Sequence, residues 1–231
     1  MKFYLKLFLL SLILFTSNMA QALILNDAKL NQFIAKDKAN NTYIKNILST
    51  HSDLINKIKI QLKEKKLNEN LYLIAFIESH FQQFALSNKN ARGVWQLIPS
   101  TAINYGLKVN QSLDERTDIK KSTIAAINYL SFLDRLFNHK IDLILAAYNC
   151  GEQGVMNRMN QHPYFSGISS LHLPKETENY IYKFHALLEV LKEHSRISSN
   201  TKKTVNTTNI MFADLSTESL SSFNNNVTVN L

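Results

Sequence analysis

The chain has 231 residues, 45% hydrophobic and 19% charged, enough for one ordinary domain with a proper core and short of two. Five glycines and three prolines are too few for a sandwich or barrel, which needs turn signals every ~8–12 residues. With so few of both the composition leans all-helical, and the single cysteine excludes an internal disulfide framework and a Cys-rich zinc module.

The first 22 residues read as a targeting segment. Lys2 and Lys6 give a positive start, Leu7 to Phe15 an apolar run too short to span a bilayer, and Ala20-Gln21-Ala22 a small-residue cleavage site. The alternative is an uncleaved membrane anchor. The formal charge is +8 for the chain, and beyond residue 22 there remain 24 basic and 18 acidic side chains, or +6. This suits an anionic partner, and export argues against intracellular nucleic acid. Cys150 lies far from the cleavage site, so no lipid attachment at a new N-terminal cysteine is expected.

From Asn26 to about Lys66 apolar residues recur at helical spacing (Leu30, Phe33, Ile34; Ile44, Ile47; Leu54, Ile55, Ile58), which predicts short amphipathic helices over an N-terminal extension, 23–68. Leu71–Ser79 is almost wholly apolar until Glu78-Ser79. Asp118–Phe137 repeats apolar positions at Ile124, Ile127, Leu130, Leu133 and Leu136, and Ile141–Tyr148 is apolar nearly all round, as a buried helix is. Leu173-Pro174 opens a last helix with Tyr180, Phe184, Leu187, Leu188 and Leu191 along one face. In the final 35 residues 19 are Ser, Thr or Asn, and 196–231 is read as a disordered polar tail.

Three features stand out from this background. Glu78 follows Leu73-Ile74-Ala75-Phe76-Ile77, so burial is expected to raise its pKa and suit it to general acid work; on this segment alone a solvated helix terminus is the stronger reading. Gly93-Val94-Trp95-Gln96-Leu97 sets the only tryptophan beside an amide, equipment for sugar rings or simply a core tryptophan, with Gly93 allowing positive φ or close approach. Ala146-Ala147-Tyr148-Asn149-Cys150-Gly151 ends a buried helix with a hydroxyl and an amide, or is merely a helix stop.

In order and separation, Glu78-Ser79, Ser87, Gly93-Val94-Trp95-Gln96, Ala147-Tyr148-Asn149 and Leu173-Pro174-Lys175-Glu176-Thr177 with Tyr180 resemble the soluble-lytic-transglycosylase (SLT) domain family, nearest the membrane-bound D type of lytic murein transglycosylase. The likeness runs from about Leu71 to Leu191, and the catalytic domain is placed at 69–195. It implies an all-α, lysozyme-like fold with a cleft for peptidoglycan glycan strands. It implies Glu78 as the single catalytic acid, with Ser79 and Ser87 among the substrate-binding positions and Ser87 orienting the substrate. Gln96 would contact sugar, Tyr148 and Asn149 would stand beside the carboxyl with the tyrosine hydroxyl fixing its orientation, and Glu176 and Tyr180 would line the cleft.

The residues support an unusual chemistry. Most glycosidases use two carboxylates, yet no Asp or Glu occurs between Ser79 and Leu113, and Asp114, Glu115 and Asp118 fall in no motif. A one-carboxylate reaction fits better, ending in a 1,6-anhydro-N-acetylmuramyl product without water. The alternatives are hydrolysis, as in goose-type lysozymes, and an idle wall-binding or scaffolding module of an envelope or secretion machine. No cofactor is expected: the seven histidines are scattered without a His-Glu-x-x-His run, and no glycine loop for phosphate occurs. Val94 stands where relatives have Leu, and Cys150 where they have Ala or Ser, read as packing. Relatives carry wall-binding repeats after the catalytic domain where this chain has its polar tail, so wall binding is expected to rest on the cleft and the positive charge.

Overall fold

The structure is a computed structural model that describes residues 27–162 and 167–196. The leader and the polar tail read from the sequence lie outside the described residues. The chain divides into two units at Leu188/Glu189, and everything that forms the site lies in the first. In the second, the described stretch is helical, with Lys192 paired to Glu189 at 2.7 Å.

Among the described residues the first unit is helical, without a named strand. Helices α1 (Asp27–Ala39), α2 (Asn41–Thr50) and α3 (Ser52–Glu64) form the N-terminal extension, burying Ile44, Ile55, Ile58 and Leu62. A 3-10 turn, Glu69–Leu71, leads into α4 (Tyr72–Ser79). Then follow α5 (Pro99–Asn104), a 3-10 turn Glu115–Thr117, α6 (Ile119–Leu136), α7 (Ile141–Cys150), α8 (Glu152–Gln161), a 3-10 turn Ile168–Leu171 and α9 (175–188). None is long and apolar enough to cross a membrane among the described residues.

The core forms where the apolar runs predict it. Leu71, Leu73, Ile74 and Ala75 are fully buried, so α4 is the central helix. It stops abruptly: His80 (φ 52°) and Phe81 (φ 63°) adopt left-handed backbone, and His80 N–H returns to the Phe76 carbonyl at 2.8 Å. Two non-glycine residues in that region directly after Ser79 are held by packing, with Phe81 buried against the Phe76 and His51 rings.

Asp118 caps α6 by accepting from Lys121 N–H at 2.9 Å. Of its predicted apolar face, Ile127, Leu130 and Leu133 are buried, whereas Ile124 is 47% exposed and faces solvent. Asp142–Ala147 of α7 are buried throughout. The extension is joined to α9 by the Phe33–Tyr182 stack and the Lys29–Glu178 pair at 3.2 Å.

Between α4 and α5 the chain has no helix, and its shape comes from buried polar ties. Trp95 is fully buried, its Nε1 donating to Thr123 Oγ1 on α6 at 3.0 Å, so the core reading of this tryptophan holds. Gly93 (φ +80°) has both properties expected of it, since a Cβ there would collide with the Arg116 backbone oxygen. Arg116, 2% exposed, braces the loop: it donates to Asp114 through Nε and Nη2, and through Nη1 to the Asn90 carbonyl at 2.6 Å and the Leu97 carbonyl at 3.1 Å.

Candidate active site

A cavity of about 940 Å³ is lined by the C-terminal end of α4, the loop 87–98 with α5, Tyr129 of α6, the α7–α8 junction, and the start of α9. Of the residues expected at the site, Glu78, Ser87, Gln96, Tyr148, Asn149 and Glu176 line it together. They lie up to about a hundred positions apart in the chain, and the buried α4 and α7 bring their polar ends to one place.

Glu78 leaves the last turn of α4 into the cavity. Burial pushes its carboxyl up to about 7, and Glu176 adds to the rise, while Tyr180 and Lys183 oppose it. The Tyr180 hydroxyl is buried without a hydrogen bond of full geometry, and bears on the Glu78 carboxyl as a donor that holds the pKa down. Burial, with Glu78 next in importance, drives the Tyr148 and Tyr180 phenols well above the ordinary tyrosine range, so both keep their protons.

Several side chains do other work than expected. Ser79 does not face the cavity: 8% exposed, it donates to the Val94 carbonyl at 2.8 Å and leans on the Ala75 carbonyl at 3.3 Å. One residue along a helix turns the side chain by ~100°, which carries Ser79 off the face that bears Glu78. Tyr148 likewise donates its one proton to the Trp95 carbonyl at 2.8 Å and not to the carboxyl. Toward Glu78 it can offer only lone pairs, which favours the protonated acid.

Gln96, with left-handed backbone at φ 46°, spends its amide nitrogen on the Ala85 and Gly93 carbonyls at 3.1 and 2.9 Å, leaving its oxygen for a ligand. Asn149 is the converse: its Oδ1 accepts from Thr177 Oγ1 at 2.8 Å, leaving the NH2 as donor. Ser87 Oγ accepts from the Lys89 and Ala91 N–H groups at 3.2 and 3.0 Å, which leaves its own proton to give. Glu176 is exposed and paired with Lys89 at 3.3 Å, a bridge between the loop and α9.

The downstream acids that could have supplied a second carboxylate stand elsewhere and line none of the cavity. Asp114 is held by Arg116 and Arg92, Glu115 by Lys121 and the Lys108 N–H, and Asp118 caps α6. The sequence reading missed Tyr129 and Glu152, which do line it. Tyr129 donates to Glu152 Oε2 at 2.8 Å. The signal for Glu152 was its place directly after the Tyr148-Asn149-Cys150-Gly151 run.

Residues 55–168 match the family model of the transglycosylase SLT domain. The chain is 36% identical over 160 residues to the membrane-bound lytic murein transglycosylase D of Escherichia coli strain K12, covering 68% of this chain and 35% of that one. It is 33% identical over 103 residues to a putative tributyltin chloride resistance protein of Alteromonas sp. strain M-1, covering 45% and 50% respectively. It thus spans about a third of the length of the E. coli relative and half of the other. Among solved structures, the 70 kDa soluble lytic transglycosylase of Escherichia coli superposes with a TM-score of 0.52 at 18% identity, covering 68% of this chain and 29% of that one. That likeness shows the fold, the all-α lysozyme-like arrangement that the family resemblance implies.

Proposed function

We propose, from the premise that this chain belongs to the transglycosylase SLT-domain family, that it is a peptidoglycan lytic transglycosylase with Glu78 as its only acid and base. The observation that carries this reading is a carboxyl at the wall of a 940 Å³ cleft, held by burial at a pKa of about 7, while the other two carboxylates of the lining are tied to Tyr129 (Glu152) and Lys89 (Glu176), and Asp114, Glu115 and Asp118 stand outside it.

Glu78 first gives its proton to the glycosidic oxygen between N-acetylmuramic acid and N-acetylglucosamine, and the C1–O bond breaks. The oxocarbenium-like centre is supported by the substrate's own N-acetyl group. The carboxylate, now stabilised by the Tyr180 hydroxyl and the Lys183 charge, takes the proton of the C6 hydroxyl as that oxygen closes on C1. The product is a 1,6-anhydro end, and no water is consumed. A pKa near neutrality serves both halves, since the same group must give a proton and then take one.

Ser87 and the Asn149 NH2 serve as donors to the glycan, and the Gln96 oxygen as an acceptor. Tyr180 and Tyr148 set the carboxyl's surroundings, and Glu176 borders the cleft, paired with Lys89 of the loop that carries Ser87. Ser79 holds the helix end in register with the loop. In this account residues 1–22 direct export to the cell envelope, and 23–68 brace the catalytic domain at 69–195. The partner is peptidoglycan, within reach of envelope or secretion machinery.

The test is digestion of purified sacculi by protein lacking residues 1–22, beside Glu78→Gln, with released muropeptides identified by mass. Anhydro-ended fragments from the wild type alone are expected. Reducing ends would make the protein a lysozyme, and binding without release from either form would make it a scaffolding module.

A further inference from the structure

The chain is basic, yet its cleft is not. The lining carries three carboxylates, Glu78, Glu152 and Glu176, against one cation, Lys89, which is paired with Glu176. Glu78 belongs to the chemistry. Glu152 remains: half-buried, at the first position of α8, with one carboxylate oxygen taken by Tyr129 at 2.8 Å.

Among the described residues no ion pair neutralises Glu152. Arg158, on the same helix, turns its guanidinium to the Gly154 carbonyl at 2.8 Å and the His172 carbonyl at 3.4 Å. Arg135, exposed on α6, bears on Tyr105 as Glu152 does, but makes no ion pair with Glu152 among the described residues. Around the carboxylate stands a run of rings: Tyr105 to Tyr129 at 5.2 Å, and Tyr129 to Tyr148 at 5.6 Å. Tyr129 is 6% exposed, and burial followed by Glu152 drives its phenol far above the ordinary range, so it is a fixed donor that orients one oxygen and leaves the other to the cleft. A tethered carboxylate at a helix N-terminus, without an ion-pair partner among the described residues and flanked by aromatic rings, matches one ligand chemistry well, an ammonium group.

We propose that Glu152, oriented by Tyr129, is a specificity-determining residue that accepts a free ammonium group borne by the glycan strand. This rests on the reading of the cleft as a peptidoglycan site. Such a group has two sources, an amine of the stem peptide or an amino sugar that has lost its acetyl group. The carboxylate selects strands that still carry it and disfavours those in which the amine is cross-linked or acylated.

The test compares wild type and Glu152→Gln by kcat/KM, scored as anhydro ends released from soluble strands. The strands are used with amines free, with amines acetylated, and after removal of the stems, the last with and without partial N-deacetylation of the sugars. Wild type is expected to prefer free-amine over acetylated strands by about tenfold, the low end for a charge-assisted hydrogen bond at a half-exposed site. In Glu152→Gln this ratio is expected to fall to about one. Loss of the wild-type preference on stem removal identifies the peptide amine; its reappearance on deacetylated sugars identifies the amino sugar. A variant that slows on every strand but keeps the ratio would show Glu152 to be structural and overturn the proposal, as would a wild type without preference. Wild-type inactivity on every strand would instead sink the underlying functional reading, and this inference with it.

Discussion

Replacing Arg116 by Met removes the brace under the substrate loop while keeping much of its apolar stem. The guanidinium is almost fully buried and makes hydrogen bonds to Asp114 and to the Asn90 and Leu97 carbonyls. Breaking one side of a buried ion pair costs about 3–5 kcal/mol, and each carbonyl left without a partner adds about 1–3 kcal/mol where water cannot reach it. These overlap, and Arg92 still faces Asp114 at 3.4 Å, so the net loss is set at about 4 kcal/mol. For a unit of this size that lowers Tm by roughly 8–16 °C, measurable by circular dichroism at 222 nm beside urea unfolding. The double variant Asp114→Asn/Arg116→Met should recover about 1 kcal/mol or more, because it removes the stranded carboxylate. An Arg116→Met loss below about 1 kcal/mol, or strict additivity in the cycle, would refute the reasoning.

Ser79→Ala should cost about 1–2 kcal/mol by stranding the Val94 carbonyl, with KM for glycan strands unchanged; a raised KM at unchanged stability would return Ser79 to the substrate. Because the folded state raises the Glu78 pKa to about 7, it favours the protonated acid. The stability this contributes is fully present below about pH 4.5 and is lost as pH rises through about 7, whereas Glu78→Gln lacks that slope and is more stable than wild type above pH 7, by on the order of 2 kcal/mol. The same titration should make kcat/KM fall above about pH 7. Lys183→Met should move that limb upward, since Lys183 is among the groups that hold the pKa down; an unmoved limb in the pH profile would count against its role.

Much of the frame was legible because it rests on local patterns. The apolar run before Glu78 predicts a buried helix with a perturbed carboxyl at its end, and the structure has both. The run into Tyr148-Asn149 marks a buried helix that delivers polar groups to the cavity. What escaped was direction and long-range pairing. Ser79 adjoins Glu78 in sequence, yet helical rotation sends it to the Val94 carbonyl. The left-handed backbone at Gln96 folds its amide nitrogen onto the loop, which a motif of residue types does not encode. Arg116 showed no pattern, because its partners at Asn90 and Leu97 are defined only once the loop has folded. Ile124 kept the helical period of α6 but lies on an exposed side of it, since periodicity marks a stripe and not its width.

The central claim is that one carboxyl acts as acid and then as base with no water in the bond made. Digesting sacculi in water enriched in oxygen-18 and measuring the new glycan ends by mass tests it most directly. The account predicts anhydro ends that carry no heavy oxygen, formed by the wild type and not by Glu78→Gln; reducing ends bearing one heavy oxygen would contradict it.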